Sequence, residues 1–192
     1  RNTPVIIFIN KMDREAKDPF DLLDELEEEL AIHVRPLTWP IESGVRFKGV
    51  YNIYENNLNL FQPSKQVVTE KVEVDINTEE LDKQIGAQLA DKLRGELELI
   101  DGVYPEFDKE EYLKGELAPV FFGSALTNFG VETFLQHFLD MTTSPLPRNS
   151  SVGLIDPFKE DFSAFVFKIQ ANMNKAHRDR IAFMRICSGK ST

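Results

Sequence analysis

The sequence has little with which to cross-link itself or to hold a metal. Its one cysteine, Cys187, excludes an intrachain disulfide and any multi-cysteine zinc site. Its three histidines, His33, His137 and His177, have no His/Asp/Glu spacing around them that resembles a metal site, so no metal ligand is expected in the chain. Basic residues are outnumbered, 22 Lys and Arg against 32 Asp and Glu, and the formal net charge is -10. That deficit argues against non-specific duplex binding, because phosphate contacts need clustered Lys and Arg; DNA is not expected as a partner. A local contact with RNA or with a basic protein remains open. No apolar run approaches a membrane span and no secretory leader is visible, so no membrane partner is expected, and the scarcity of cysteine fits a cytoplasmic location.

What is present is ordinary globular material. Hydrophobic residues make up 42% of the chain, enough for a core. With 192 residues there is room for one domain and part of another. The chain opens at Arg1 almost directly on an apolar run and closes on Gly189-Lys190-Ser191-Thr192, which reads as an internal piece of a longer product.

The stretch Val5-Ile6-Ile7-Phe8-Ile9 runs straight into Asn10-Lys11-Met12-Asp13. A continuous apolar run of this length suits a strand buried on both faces of a parallel sheet. Ligands of open α/β sheets sit beyond the carboxyl ends of the strands, where Asn10, Lys11 and Asp13 would lie. A guanine base offers two adjacent donors, its ring N1–H and its exocyclic amine, and one carboxylate can accept both. Adenine offers an acceptor in place of N1–H, so a site built on Asp13 would discriminate, by factors on the order of 10⁴. Asn10 could bond the base or tie neighbouring loops together, and Lys11 could lay its methylene stem over the ring. The plain alternative is a chance tetrad in a turn, expected in roughly a few per cent of chains this long.

Further along, Asp18 and Pro19 predict a helix start, with Leu22, Leu23, Leu26 and Leu30 as its apolar stripe and an acidic, solvated face. Residues 38–76 alternate in short runs and predict a small, mostly antiparallel sheet with Trp39 and the tyrosines in its core. Asn77 and Glu80 resemble a capping box, opening a long helix to about Ile100 whose stripe is Leu81, Ile85, Leu89, Leu93 and Leu97. Asp108 and Glu111 predict a short helix ended by Gly115. His33 and His137 fall at predicted helix positions, and His177 in a polar turn.

The opening pattern then returns. Ala118-Pro119-Val120-Phe121-Phe122 reads as a buried strand, followed by Gly123-Ser124-Ala125-Leu126 and a helix with Val131, Phe134, Leu135 and Phe138 on one face. A small-residue turn lets backbone N–H groups approach a ligand, and the Ala125 N–H could reach a guanine O6. One strand-helix-strand step takes roughly 30 residues. Asp13 and Ser124 are much further apart, so if both touch one base, a subdomain has been inserted between them. Residues 144–151 read as a linker, and residues 162–169 and 181–186 as strands of a β domain too small to bury a core unaided.

Asn10-Lys11-Met12-Asp13 with Gly123-Ser124-Ala125-Leu126 resembles the guanine-reading pair of translational GTPases. Trp39-Pro40-Ile41, Phe47-Lys48-Gly49-Val50-Tyr51, residues 120–131 and Ser144-Pro145-Leu146-Pro147 are similar to the elongation factor G and release factor branch. Phe165-Val166-Phe167-Lys168-Ile169-Gln170-Ala171-Asn172-Met173, His177-Arg178-Asp179-Arg180 and Ala182-Phe183-Met184-Arg185 resemble the bacterial peptide-chain release factor 3 family.

The resemblance implies an α/β fold: the C-terminal half of a P-loop GTPase-type parallel-sheet domain with an inserted α+β subdomain, followed by the start of a translation-factor β-barrel. The expected divisions are GTPase core at 1–37 and 116–144, insert at 38–115, linker at 145–158 and truncated barrel at 159–192. It implies a guanine-binding set of Asn10, Lys11, Asp13, Ser124, Ala125 and Leu126, with GTP or GDP as ligand. It also implies a monomer acting on ribosomal RNA and proteins, and indirectly on class I release factors, in translation termination. An elongation factor G-like or ribosome-protection GTPase is the nearer alternative, and a non-enzymatic acidic ribosome-interaction module the more distant one. No Gly-x-x-x-x-Gly-Lys-Ser/Thr loop occurs: Gly189-Lys190-Ser191 imitates its end, but Met184 stands at the first glycine position. The Mg²⁺ ligands and switch regions of such a protein would precede Arg1, so no catalytic residue and no GTP hydrolysis are expected of this chain.

Overall fold

The computed structural model describes residues 3–61, 70–171 and 180–190. In chain order it has β1 (Ile7–Ile9), α1 (Pro19–Leu30), β2 (His33–Pro36), β3 (Thr38–Ile41), a 3-10 turn (Gly44–Arg46), β4 (Gly49–Asn52), β5 (Asn57–Leu60) and β6 (Glu70–Glu73). There follow α2 (Glu79–Ile85), α3 (Ala87–Val103), α4 (Lys109–Lys114), β7 (Leu117–Phe122), α5 (Val131–Met141), β8 (Arg148–Ser150), β9 (Gly153–Ile155), β10 (Ser163–Ala171) and β11 (Arg180–Ser188). The chain divides into two compact units, Arg1–Met141 and Thr142–Thr192.

In the first unit a parallel sheet of order β1-β7-β2 carries the strand-end loops. β7 is its centre and is buried at every residue, as its unbroken apolar sequence demands. β1 differs from expectation. It is shorter than the apolar run and only half-buried, because among the described residues β7 alone pairs with it. β2 passes almost directly into β3, and the chain enters an antiparallel sheet of order β3-β4-β5-β6. His33 is therefore an exposed strand residue, not a helical one.

One hydrophobic cluster runs through both sheets and the helices. Met12, Leu23, Val34, Trp39, Val50, Leu58, Leu93, Val120 and Phe122 all belong to it. Trp39 sits at its centre, with Phe20 at 4.7 Å and Phe122 at 5.5 Å between ring centroids. Each large side chain so buried contributes roughly 1.5–3 kcal/mol.

The helices follow their end signals where those are strong. Asp18 caps α1 by accepting from the Phe20 N–H at 2.9 Å. Asp108 accepts from the Glu110 and Glu111 N–H groups, and Gly115 ends α4 in the left-handed region at φ 75°. The predicted helix from Asn77 to Ile100 is instead two helices. Gly86 takes φ 90°, breaking it between Ile85 and Ala87. Thr78, not Asn77, occupies the cap position of α2, and the Asn77 N–H is held by Asp75 Oδ1 at 2.8 Å. On α5 the buried residues are His137 and Met141, whereas Leu135 and Phe138 of the predicted stripe are exposed.

In the second unit, β8 and β9 form a small hairpin within the Pro- and Ser-rich stretch that composition marks as a linker. β10 and β11 pair as a long antiparallel ribbon with a register shift between Val166 and Lys168. The Asn172-Met173 and His177-Arg178-Asp179 parts of the family-like phrases lie outside the described residues.

Candidate functional site

The site follows from the register of β1 on β7. Ile7 pairs with Val120, Phe8 with Phe121 and Ile9 with Phe122, so both strands end at the same level. Their loops leave side by side. The Gly123 N–H donates to the Ile9 carbonyl at 3.0 Å and the Met12 N–H to the Gly123 carbonyl at 3.1 Å. Gly123 is needed for this approach: a Cβ there would lie 2.4 Å from the Phe129 oxygen and 2.7 Å from Phe8 Cζ.

Side chains then lock the loops to each other. Ser124 Oγ donates to Asp13 Oδ1 at 2.5 Å, joining residues 111 apart in sequence. The Ala125 N–H donates to Asn10 Oδ1 at 2.8 Å, and the Lys11 N–H donates to the same oxygen at 2.7 Å. Lys11 turns the chain with φ 71°, an uncommon conformation for a residue with a side chain. Met12 points the other way and is fully buried, which pins the loop to the core. The second loop closes on itself, Ser124 and Phe129 exchanging both backbone bonds at 3.0 and 2.9 Å.

All six predicted site residues thus fall on the two adjoining loops. Ser124 is buried, Asp13 half-buried, and Asn10, Lys11, Ala125 and Leu126 exposed, Leu126 at 79%. One detail corrects the sequence reading. The Ala125 N–H, expected to be available to a guanine O6, is already given to Asn10. The Asn10 carboxamide oxygen sits between two backbone donors and accepts both, so this side chain ties the loops together. What Asn10 retains for a ligand is its amide nitrogen, a donor. The anionic Asp13, held by Ser124 through one oxygen, offers an acceptor edge that suits two adjacent N–H donors.

The sequence reading missed Gly44. Its N–H contacts the Met12 carbonyl at 3.0 Å and the Arg14 carbonyl at 3.1 Å. Glu42-Ser43-Gly44 signals a turn, but nothing local says which loop that turn meets.

A parallel α/β sheet whose two strand-end loops are tied together presents those loops where open α/β folds hold a ligand. The elongation factor Tu GTP binding domain model matches residues 1–144, and the elongation factor G domain 2 model matches residues 161–192. The chain belongs to the elongation factor Tu GTP-binding domain family. A crystal structure of a Thermus thermophilus protein is similar in fold, with TM-score 0.58 and 18% identity over 98% of this chain. The chain spans 28% of that protein's length. Among the described residues, no helix is long and apolar enough to cross a membrane, and no group of three or more His, Cys, Asp or Glu could hold a metal ion.

Proposed function

We propose that this chain carries the guanine-recognition half of a translation-termination GTPase, one that drives class I release factors off the ribosome. The observation that carries the guanine reading is the pair of cross-loop bonds, Ser124 to Asp13 and Ala125 to Asn10. Asp13 takes the ring N1–H and the exocyclic amine. Ser124 fixes the carboxylate rotamer before the base arrives, so less ordering is left to binding. Asn10 donates to a base acceptor from its amide nitrogen while its oxygen holds the second loop. Lys11 covers one ring face with its stem, and Ala125 and Leu126 border the other side.

Mg²⁺ would neutralise charge on the phosphates of a bound GTP. This chain has no phosphate loop to hold them and no residue assigned to the metal. Its own contribution is selection and orientation of the purine.

The termination role is supported by the phrases in residues 165–173, 177–180 and 182–185, which resemble the release factor 3 family. An elongation factor G-like role is favoured by one observation, the match of residues 161–192 to elongation factor G domain 2. Isothermal titration of the intact factor with GDP, GTP and ATP tests the site: heat for the two guanine nucleotides and none for ATP is expected. Equal heats for ATP and GDP, or none for either, would remove the guanine reading and leave the acidic interaction module. Loss of a labelled class I release factor from terminated ribosomes, without stimulation of translocation, is the expected result that separates the two ribosomal roles.

A further inference from the structure

We infer that the turn between β3 and β4 is a clamp that sets both purine loops, with Gly44 as its positioning residue and Phe47 as its second grip. This rests on the guanine reading above and adds a region that belongs to neither loop. The single N–H of Gly44 is shared between the carbonyls of Met12 at 3.0 Å and Arg14 at 3.1 Å, one on either side of Asp13. The left-handed backbone at this position favours glycine. Gly44 has φ +63°, and a Cβ there would stand 3.3 Å from the Glu15 nitrogen and 3.4 Å from Glu15 Cγ.

The same turn grips the other loop through Phe47. Its buried ring meets Phe129 edge-on at 5.4 Å and Phe61 at 5.2 Å. Phe129 is the residue whose N–H and carbonyl close the Ser124 loop. One short turn therefore touches the backbone beside Asp13 and the ring beneath Ser124, the two groups whose 2.5 Å bond defines the site.

The turn is stiff enough to transmit position. The Phe47 N–H donates to the Gly44 carbonyl at 3.1 Å and the Lys48 N–H to the Ile41 carbonyl at 2.9 Å. Glu42, at φ 63°, is held by Lys92 of α3 at 3.0 Å and by Arg46 at 3.3 Å. A carboxylate that must meet two donors at once is sensitive to small displacements, since both bonds weaken together. The clamp thus makes the antiparallel sheet and α3 part of base selection.

The test compares GDP with IDP, whose base lacks the exocyclic amine that Asp13 would accept. Dissociation constants for both are measured on wild type and Gly44→Ala by chemical-shift titration, with folding followed by Trp39 fluorescence. In Gly44→Ala, GDP binding is expected to weaken roughly three- to tenfold, as the strained backbone shifts the loop. IDP weakens less, so the preference for GDP shrinks. A merely structural fault would lower both affinities by the same factor, and that result, or an unchanged ratio, overturns the clamp. If Gly44→Ala fails to fold, Phe47→Leu carries the same comparison and the same criterion. If wild type binds neither nucleotide, the guanine reading fails. The clamp is then judged by hydrogen exchange at Met12 and Ala125: faster exchange in the variant upholds it, and unchanged exchange overturns it.

Discussion

Asp13 and Ser124 form a charge-assisted hydrogen bond across two loops, and bonds of that kind contribute about 1.5–3 kcal/mol. Ser124→Ala is therefore expected to weaken GDP binding roughly tenfold while leaving the fold intact, because the alanine only removes an oxygen. A titration with unchanged GDP affinity would show that the serine does not orient the carboxylate. Gly123→Ala is expected to act on folding instead. Its methyl would meet the Phe129 oxygen at 2.4 Å, in the backbone pair that closes the Ser124 loop. Overpacking of this sort costs about 1–3 kcal/mol, read as a lower urea midpoint. At this scale the sequence was informative. The placement of Asn10, Lys11, Asp13 and Ser124 on strand-end loops was readable, because strand-then-polar-tetrad and strand-then-small-turn mark where the two strands stop. The commitment of the Ala125 N–H to Asn10 was not readable, since it depends on the register of two strands far apart in sequence.

Between elements, the contact of β3 with α3 offers a pH-sensitive probe of the fold. The Trp39 indole N–H donates to Glu96 Oε2 at 2.7 Å. Burial pushes the Glu96 carboxyl above its ordinary value, with the Trp39 bond and Lys92 pulling it back. The folded protein then holds that proton more tightly than the unfolded chain does. This carboxyl's contribution to stability is full below the ordinary glutamate range and falls as pH rises through its raised value. Glu96→Gln keeps an acceptor for Trp39 and cannot ionise, so its urea midpoints should be flatter with pH just above that range. Glu96→Ala strands a buried indole donor and is expected to cost about 1–3 kcal/mol at neutral pH. Equal stability of the two variants would remove the hydrogen bond from this role. The helix from 77 to 100 was misread as one element because its fourfold leucine spacing continues across Gly86. Periodicity records which face is buried and does not register a backbone that turns at φ 90° between two segments of that face.

For the whole molecule, burial differs sharply between the two compact units. β7 is buried throughout, whereas on the β10–β11 ribbon Phe167, Ile169, Ile181 and Met184 are all exposed. Two strands do not enclose a core, so their amides should exchange with solvent orders of magnitude faster than those of β7, as hydrogen-exchange mass spectrometry would measure. Comparable protection would mean that the ribbon is covered in solution. The family of the long first segment was legible because its two strand-end loops carry short family-like phrases. The continuity of one core through both sheets was not, since Met12, Trp39 and Phe122 meet only once the chain has doubled back.

The measurement that bears most directly on the site is a titration of wild type and Asp13→Asn with GDP and XDP. A carboxamide at position 13 presents a donor where guanine also has one, and xanthine has a carbonyl there. GDP binding should fall about 100-fold or more in the variant, with two charge-assisted bonds disrupted, and XDP should become the preferred ligand. If Asp13→Asn keeps the wild-type preference for GDP, the two loops do not read the purine through that carboxylate.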